Sequence, residues 1–199
     1  DELLFFVFMD YTNCTNNTHS SAISLPGGTL PLGVEIHQIV FNFNCIPLQD
    51  MYFIKYRVIN KSAFNWDSTY FSFPIDYDIG DATDDLVGSD AVRNIGFAYN
   101  SDNSDSEYGL NPPAFGMRIL QSPIYYTAQN TDTTFLPYDT LIGYKQTGLS
   151  GFTYLGYETC YGDPDNAVSA YNILRGKDGC GNTFYNRVTG KPTTFKYSG

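Results

Sequence analysis

The sequence predicts an all-β protein: an antiparallel β-sandwich of jelly-roll type with long loops and one short helix. Three observations predict it. Aromatic residues reach 17%, led by 17 Tyr and 15 Phe, whereas charged residues make up only 16%. A helical protein would be richer in Ala, Leu, Glu and Lys. Several stretches alternate apolar and polar residues with a period of two. Turn formers, including 18 Gly and 10 Pro, punctuate the chain. Its 199 residues suffice for one large core. No repeat or linker divides them, so residues 1–199 read as a single module.

The elements follow in order. Residues 3–9 are continuously apolar, which predicts a strand buried on both faces. Residues 12–33 form a polar loop. Residues 34–44 predict a long strand with Ile39, Phe41 and Phe43 on one face. Residues 51–59 alternate cleanly, with Tyr52, Ile54, Tyr56 and Val58 opposite Lys55 and Arg57. Residues 69–75 repeat the pattern through Phe71, Phe73 and Ile75. Shorter strands are predicted at 95–99, 115–120, 152–157 and 193–197, each bounded by Gly, Pro, Asn or Asp. One helix is expected near the end. Asp163 caps it, Pro164 takes its first position, and Ala167, Val168, Tyr171 and Leu174 recur at helical spacing before Gly176 stops it.

Charge and cysteines bound the function. A net charge of −10 argues against non-specific binding to nucleic acid or anionic membranes. The longest apolar run is too short to span a bilayer. Asp1 and Glu2 stand where a signal peptide would be basic, so the chain reads as a mature or excised segment. Cys14, Cys45, Cys160 and Cys180 form no Cys-x-x-Cys pair, and His19 and His37 are the only histidines, so no zinc cluster is offered. Of three possible pairings, the simplest joins Cys14 to Cys45 and Cys160 to Cys180; four free thiols are the alternative. Disulfides imply an oxidising compartment. Asn13, Asn16 and Asn60 open Asn-x-Ser/Thr sequons and are candidate glycosylation sites.

The most informative stretch is the acidic loop at 76–90, with six aspartates in fifteen residues. Between 76 and 107 nine acidic residues face one basic one, Arg93, a net charge of −8. Like charges so concentrated repel unless water or a cation neutralises them. Aspartates at i, i+2 and i+5 around a Gly bring hard oxygens to one point, which suits Ca2+ better than Zn2+. The loop lacks the terminal Glu of an EF-hand, so a loop-borne structural site is expected. Asp76, Asp78, Asp81, Asp84 and Asp85 are its first-choice ligands, with Asp90, Asp102 and Asp105 in reserve. The alternative is a solvated acidic loop.

This loop, with the runs 48–62, 67–70, Gly96-Phe97-Ala98-Tyr99-Asn100-Ser101-Asp102-Asn103, Tyr108-Gly109-Leu110-Asn111-Pro112-Pro113-Ala114-Phe115-Gly116 and Val188-Thr189-Gly190-Lys191-Pro192-Thr193-Thr194-Phe195, resembles a module of large secreted surface proteins of Bacteroidetes- and Ignavibacteria-type bacteria. Such proteins often end in a type IX secretion sorting domain. The resemblance runs from about Phe5 to the end and implies an extracellular, cell-surface location; it carries no activity. Ser89 stands where such modules commonly have Cys, which implies a different disulfide pattern here.

Catalytic motifs are missing from the sequence. His19 lies in a polar loop, His37 lies beside Glu35 on a strand, and there is neither a Gly-x-Ser-x-Gly elbow nor a nucleotide-binding glycine motif. Glu35 and Glu158 keep glycoside hydrolysis as a minor alternative. Trp66 with Tyr70, or Tyr125 with Tyr126, could stack on sugars, which keeps a carbohydrate-binding or adhesin role open. The expectation is a non-catalytic building block of a cell-surface assembly or filament, rigidified by Ca2+. Its partners are copies of itself or neighbouring modules, reached through strand 3–9 if that strand does not pair fully within its own domain; an ordinary internal strand is the alternative.

Overall fold

The computed structural model describes residues 2–10, 31–136 and 138–197. The protein is mostly β, sandwich-like, built of antiparallel sheets with one helix among the described residues. Where the sequence predicts one module, the internal contacts gather in two units. The first comprises Asp1–Thr69 with Asp165–Ala167, the second Tyr70–Pro164 with Val168–Gly199.

The first unit contains one meander, β1 (Glu2–Met9), β2 (Val34–Asn42) and β3 (Tyr52–Asn60), in the order β1-β2-β3. Phe5 faces Ile39, which faces Lys55. Phe41 stacks on Phe53 with ring centroids 5.3 Å apart. Asp10 closes the β1–β2 end: it is 4% exposed, and its carboxylate accepts from Leu32 N and Val34 N, both at 2.7 Å. Strand β1 forms where the sequence predicts it, but it is not buried on both faces. Every residue from Leu3 to Met9 is exposed, Leu3 at 67% and Phe5 at 56%. The physical reason is its edge position in a three-stranded sheet: β2 covers one side of its backbone, and its side chains stand on open faces.

The second unit contains a sheet of β4 (Asp85–Asp90), β5 (Ile95–Asn100) and β8 (Ala114–Arg118), in the order β4-β5-β8. Short ladders complete it: β6 (Ser104–Asp105) with β7 (Gly109–Leu110), β9 (Ile124–Tyr126) with β12 (Tyr144–Gln146), β10 (Thr133–Leu136) with β11 (Asp139–Ile142), and β13 (Phe184–Tyr185) with β14 (Pro192–Thr193). Its core is small, built on Ile79, Ala98 and Phe184. Ser89 is wholly buried and donates its hydroxyl to Tyr197 O. A parallel bridge joins Phe152 to Phe195. Lys196 lies 3.6 Å from the Tyr161 ring centroid and 5.5 Å from those of Tyr154 and Tyr197. Residues 69–75, expected as a strand, join no sheet. Alternation there makes extended chain, but no neighbouring segment runs alongside it in a ladder. Residues 152–157 contribute only the single bridge at Phe152.

The helix α1 (Ala167–Leu174) begins three residues after Pro164, so Asp163 does not cap it. Its end follows the expected stop. Gly176 takes φ +71°, Gly176 N donates to Ile173 O at 3.0 Å, and Lys177 N donates to Asn172 O at 3.1 Å. Those two bonds are a Schellman motif, which needs a left-handed residue where Gly costs least. The Cys160–Cys180 disulfide brackets the helix. Cys45 is an exposed, free thiol, and Cys14, its expected partner, lies outside the described residues.

Closing a loop of 20 residues stabilises by ~3 kcal/mol in the chain-entropy model, so Cys160→Ser with Cys180→Ser lowers the denaturation midpoint accordingly. Peptide mapping after maleimide treatment of the native protein finds Cys45 labelled, with Cys160 and Cys180 labelled only after reduction.

Candidate functional site

The acidic segment leads into β4, and the segment 101–108 leaves β5 beside it. Most of its carboxylates are turned onto their own backbone. Asp105, 6% exposed, is the centre. Its Oδ1 accepts from Glu107 N at 2.8 Å and Tyr108 N at 2.7 Å, and its Oδ2 accepts from Asp81 N at 2.9 Å. Asp81 Oδ1 in turn accepts from Thr83 N and Thr83 Oγ1. Asp102 Oδ1 accepts from Ser104 N at 2.7 Å. Asp90 accepts from Arg93 N at 2.9 Å and forms an ion pair with the Arg93 guanidinium. These are Asx-type turns: a short carboxylate side chain bonds an amide two or three residues on.

The same bonds set the charge states. The amides of Asp81, then Tyr108, hold the Asp105 carboxyl below the usual carboxylate range. The Thr83 hydroxyl does so for Asp81, and the Arg93 side chain for Asp90. A hydrogen bond to the charged form favours ionisation.

The five aspartates expected as first-choice calcium ligands and the three in reserve are therefore engaged differently. Asp81, Asp90, Asp102 and Asp105 serve as backbone staples, while Asp76 and Asp78 are exposed. Among the described residues no three His, Cys, Asp or Glu side chains converge on a point fit for a metal ion. Asp84 and Asp85 differ from the rest. Asp85 Oδ2 accepts from Ile79 N at 2.8 Å, but its Oδ1 is buried with no hydrogen-bond partner, and so is Asp84 Oδ1. Asn100, which sequence reasoning did not single out, pairs with Asp85 across β4–β5 and carries a third such oxygen.

Other expected site residues are engaged locally. Trp66, in the first unit, donates its indole N–H to Leu32 O at 3.3 Å. Tyr70, in the second, meets Tyr171 edge to face at 5.8 Å. Asn60 is exposed, with Nδ2 donating to Phe64 O and Oδ1 accepting from Ser62 N. Asn13 and Asn16 lie outside the described residues. Glu35 Oε1 is 3.0 Å from His37 Nε2 and 3.5 Å from Lys61 Nζ. An open depression of about 360 Å³ is lined by Asn94, Leu120, Thr133, Phe135, Lys145 and Gln146, among others.

No protein-family model, curated protein or solved structure matches the chain. Fold and site together define a β-rich module whose loops are stapled by aspartates. Among the described residues no helix is long and apolar enough to cross a membrane.

Gly80 has φ +69°, and a Cβ there would collide with the Asp105 carboxylate. Gly80→Ala therefore costs about 2–3 kcal/mol, from left-handed strain plus loss of the staple; chemical denaturation measures it. The lowered values of Asp81, Asp90 and Asp105 fix the sign of the acid response. Their stabilisation is full above the ordinary carboxylate value of about 4 and disappears as pH falls through the lower folded-state values. Melting temperature followed from pH 7 downward shows this loss, and Asp105→Asn makes the profile shallower.

Proposed function

We infer that this chain is a non-catalytic structural module of an extracellular assembly, and that its β1–β2–β3 sheet seats against a second copy or a neighbouring module. One observation carries the reading: an edge strand of eight residues, apolar on both faces and exposed along its length. Exposed apolar area costs about 25 cal/mol per Å², and monomeric proteins rarely leave so continuous a patch uncovered. The backbone supplies direction as well. Asp10 N donates to Val34 O and Glu2 N to Asn42 Oδ1, which sets even-numbered amides of β1 towards β2. The amides of Leu3, Phe5, Val7 and Met9 then point away from β2, in position to receive another strand. The Cys160–Cys180 disulfide supports an oxidising, extracellular setting.

Size-exclusion chromatography with light scattering tests the reading. The protein forms concentration-dependent oligomers, and Val7→Pro abolishes them. That substitution removes an outward amide and leaves the β1–β2 bonds in place, so the fold survives. A protein that stays monomeric at the highest attainable concentration, or that hydrolyses a polysaccharide, overturns it.

A further inference from the structure

The orphaned oxygens at the start of β4 point to a ligand. Asp85 faces Asn100 in the β4–β5 register. The next pair outward is held by Ser101 N donating to Asp84 O at 3.0 Å, which makes Asp85–Asn100 the non-hydrogen-bonded pair, where cross-strand side chains stand closest. Both side chains therefore share one face at short range. Asn100 is 6% exposed, and its orientation is fixed: Nδ2 donates to Asp102 O at 3.3 Å and Ser104 O at 3.1 Å. Two carbonyl partners place the nitrogen, so Oδ1 is the free end. Asp85 is likewise fixed by Ile79 N on Oδ2, leaving Oδ1 free. Two buried acceptors thus stand opposite one another with no donor for either. Asp84, one residue back, turns to the opposite face beside Ser101, with its Oδ2 3.5 Å from Ser101 Oγ, and stands apart from this pair. Leaving such groups unpaired is costly, and a carboxylate more so.

We propose that the Asp85–Asn100 pair binds a hard divalent cation, Ca2+ by its ligand chemistry. One amide oxygen and one carboxylate, completed by water and backbone carbonyls, are an all-oxygen set of the kind Ca2+ takes in irregular loops. The net −8 between residues 76 and 107 favours a cation over a neutral bridging group. The Asx staples described above belong to the scaffold: Asp105 and Asp81 fix the loop that carries Ile79, and Ile79 N aims Asp85.

Calorimetric titration of the full chain with calcium chloride, alongside thermal melts at fixed ionic strength, tests the proposal. The chain binds one ion, with a dissociation constant on the order of 10⁻⁴–10⁻³ M as in extracellular modules, and the melting temperature rises with calcium. Two isosteric variants move in opposite directions. Asp85→Asn lets a new amide donate to Asn100 Oδ1, so the metal-free protein melts higher and calcium no longer shifts it. Asn100→Asp sets two carboxylates face to face, so the metal-free protein melts lower and calcium binds roughly tenfold tighter. A wild-type melt indifferent to calcium overturns the site. So does an equal shift with sodium chloride of matched ionic strength, or calcium binding unchanged in both variants. None of these readouts depends on whether β1 assembles.

Discussion

Buried and half-buried aspartates accepting backbone N–H groups are the interaction on which the second unit depends. Its apolar core is small, with Ile79, Ala98 and Phe184 the buried hydrophobic side chains among its described residues. A unit with so little apolar burial must order its loops by other means, because each ordered residue costs about 1–2 kcal/mol of backbone entropy. Carboxylates suit the task. One short side chain can satisfy two or three amides at once, and ionised acceptors make hydrogen bonds roughly twice as strong as neutral ones. Asp105 does this across 24 residues of sequence by reaching Asp81 N. Asp10 does it in the first unit, across 22 and 24 residues, for Leu32 and Val34. Much of the negative charge is thus structural, and its placement follows from where amides would otherwise lack partners.

That double use of aspartate explains what could and could not be read from the sequence. The strands at 34–42, 52–60 and 95–100 follow from alternation and turn residues, and their observed bounds lie within two residues of expectation. The end of α1 follows from Gly176, because only the backbone geometry of a Schellman motif matters there. Asp163-Pro164, by contrast, is a capping signature that a loop also satisfies, and the helix begins later. Spacing in the acidic stretch cannot separate an Asx turn from a metal loop, since both require a short oxygen-bearing side chain beside a tight turn. Asn100 was illegible for a related reason. Its amide adds nothing to a tally of charge, and only the strand register sets it opposite Asp85.

The β1 run shows the same limit from the apolar side. Continuous hydrophobicity states that a segment avoids water on both faces; it does not say which strands cover it. In the described structure β2 is its neighbour, and its side chains are exposed. An edge strand of this kind holds two properties in tension. It promotes association, and it is the segment most exposed to mispairing before a partner arrives. Glu2 at one end and Asp10 at the other are the charged residues that bound it.

The closing contacts of the second unit bear on how the protein acquires its shape. Ser89, at the heart of β4, donates to the carbonyl of Tyr197, 108 residues later, and Phe152 bridges Phe195 beside it. The buried hydroxyl therefore lacks this acceptor until residue 197 is in place. Folding cannot proceed strictly from the front, because loop-closure entropy must be met before this long-range contact returns anything. Residues 195–197 therefore act as a latch for the strand that carries Ser89, which is secured only when that segment docks.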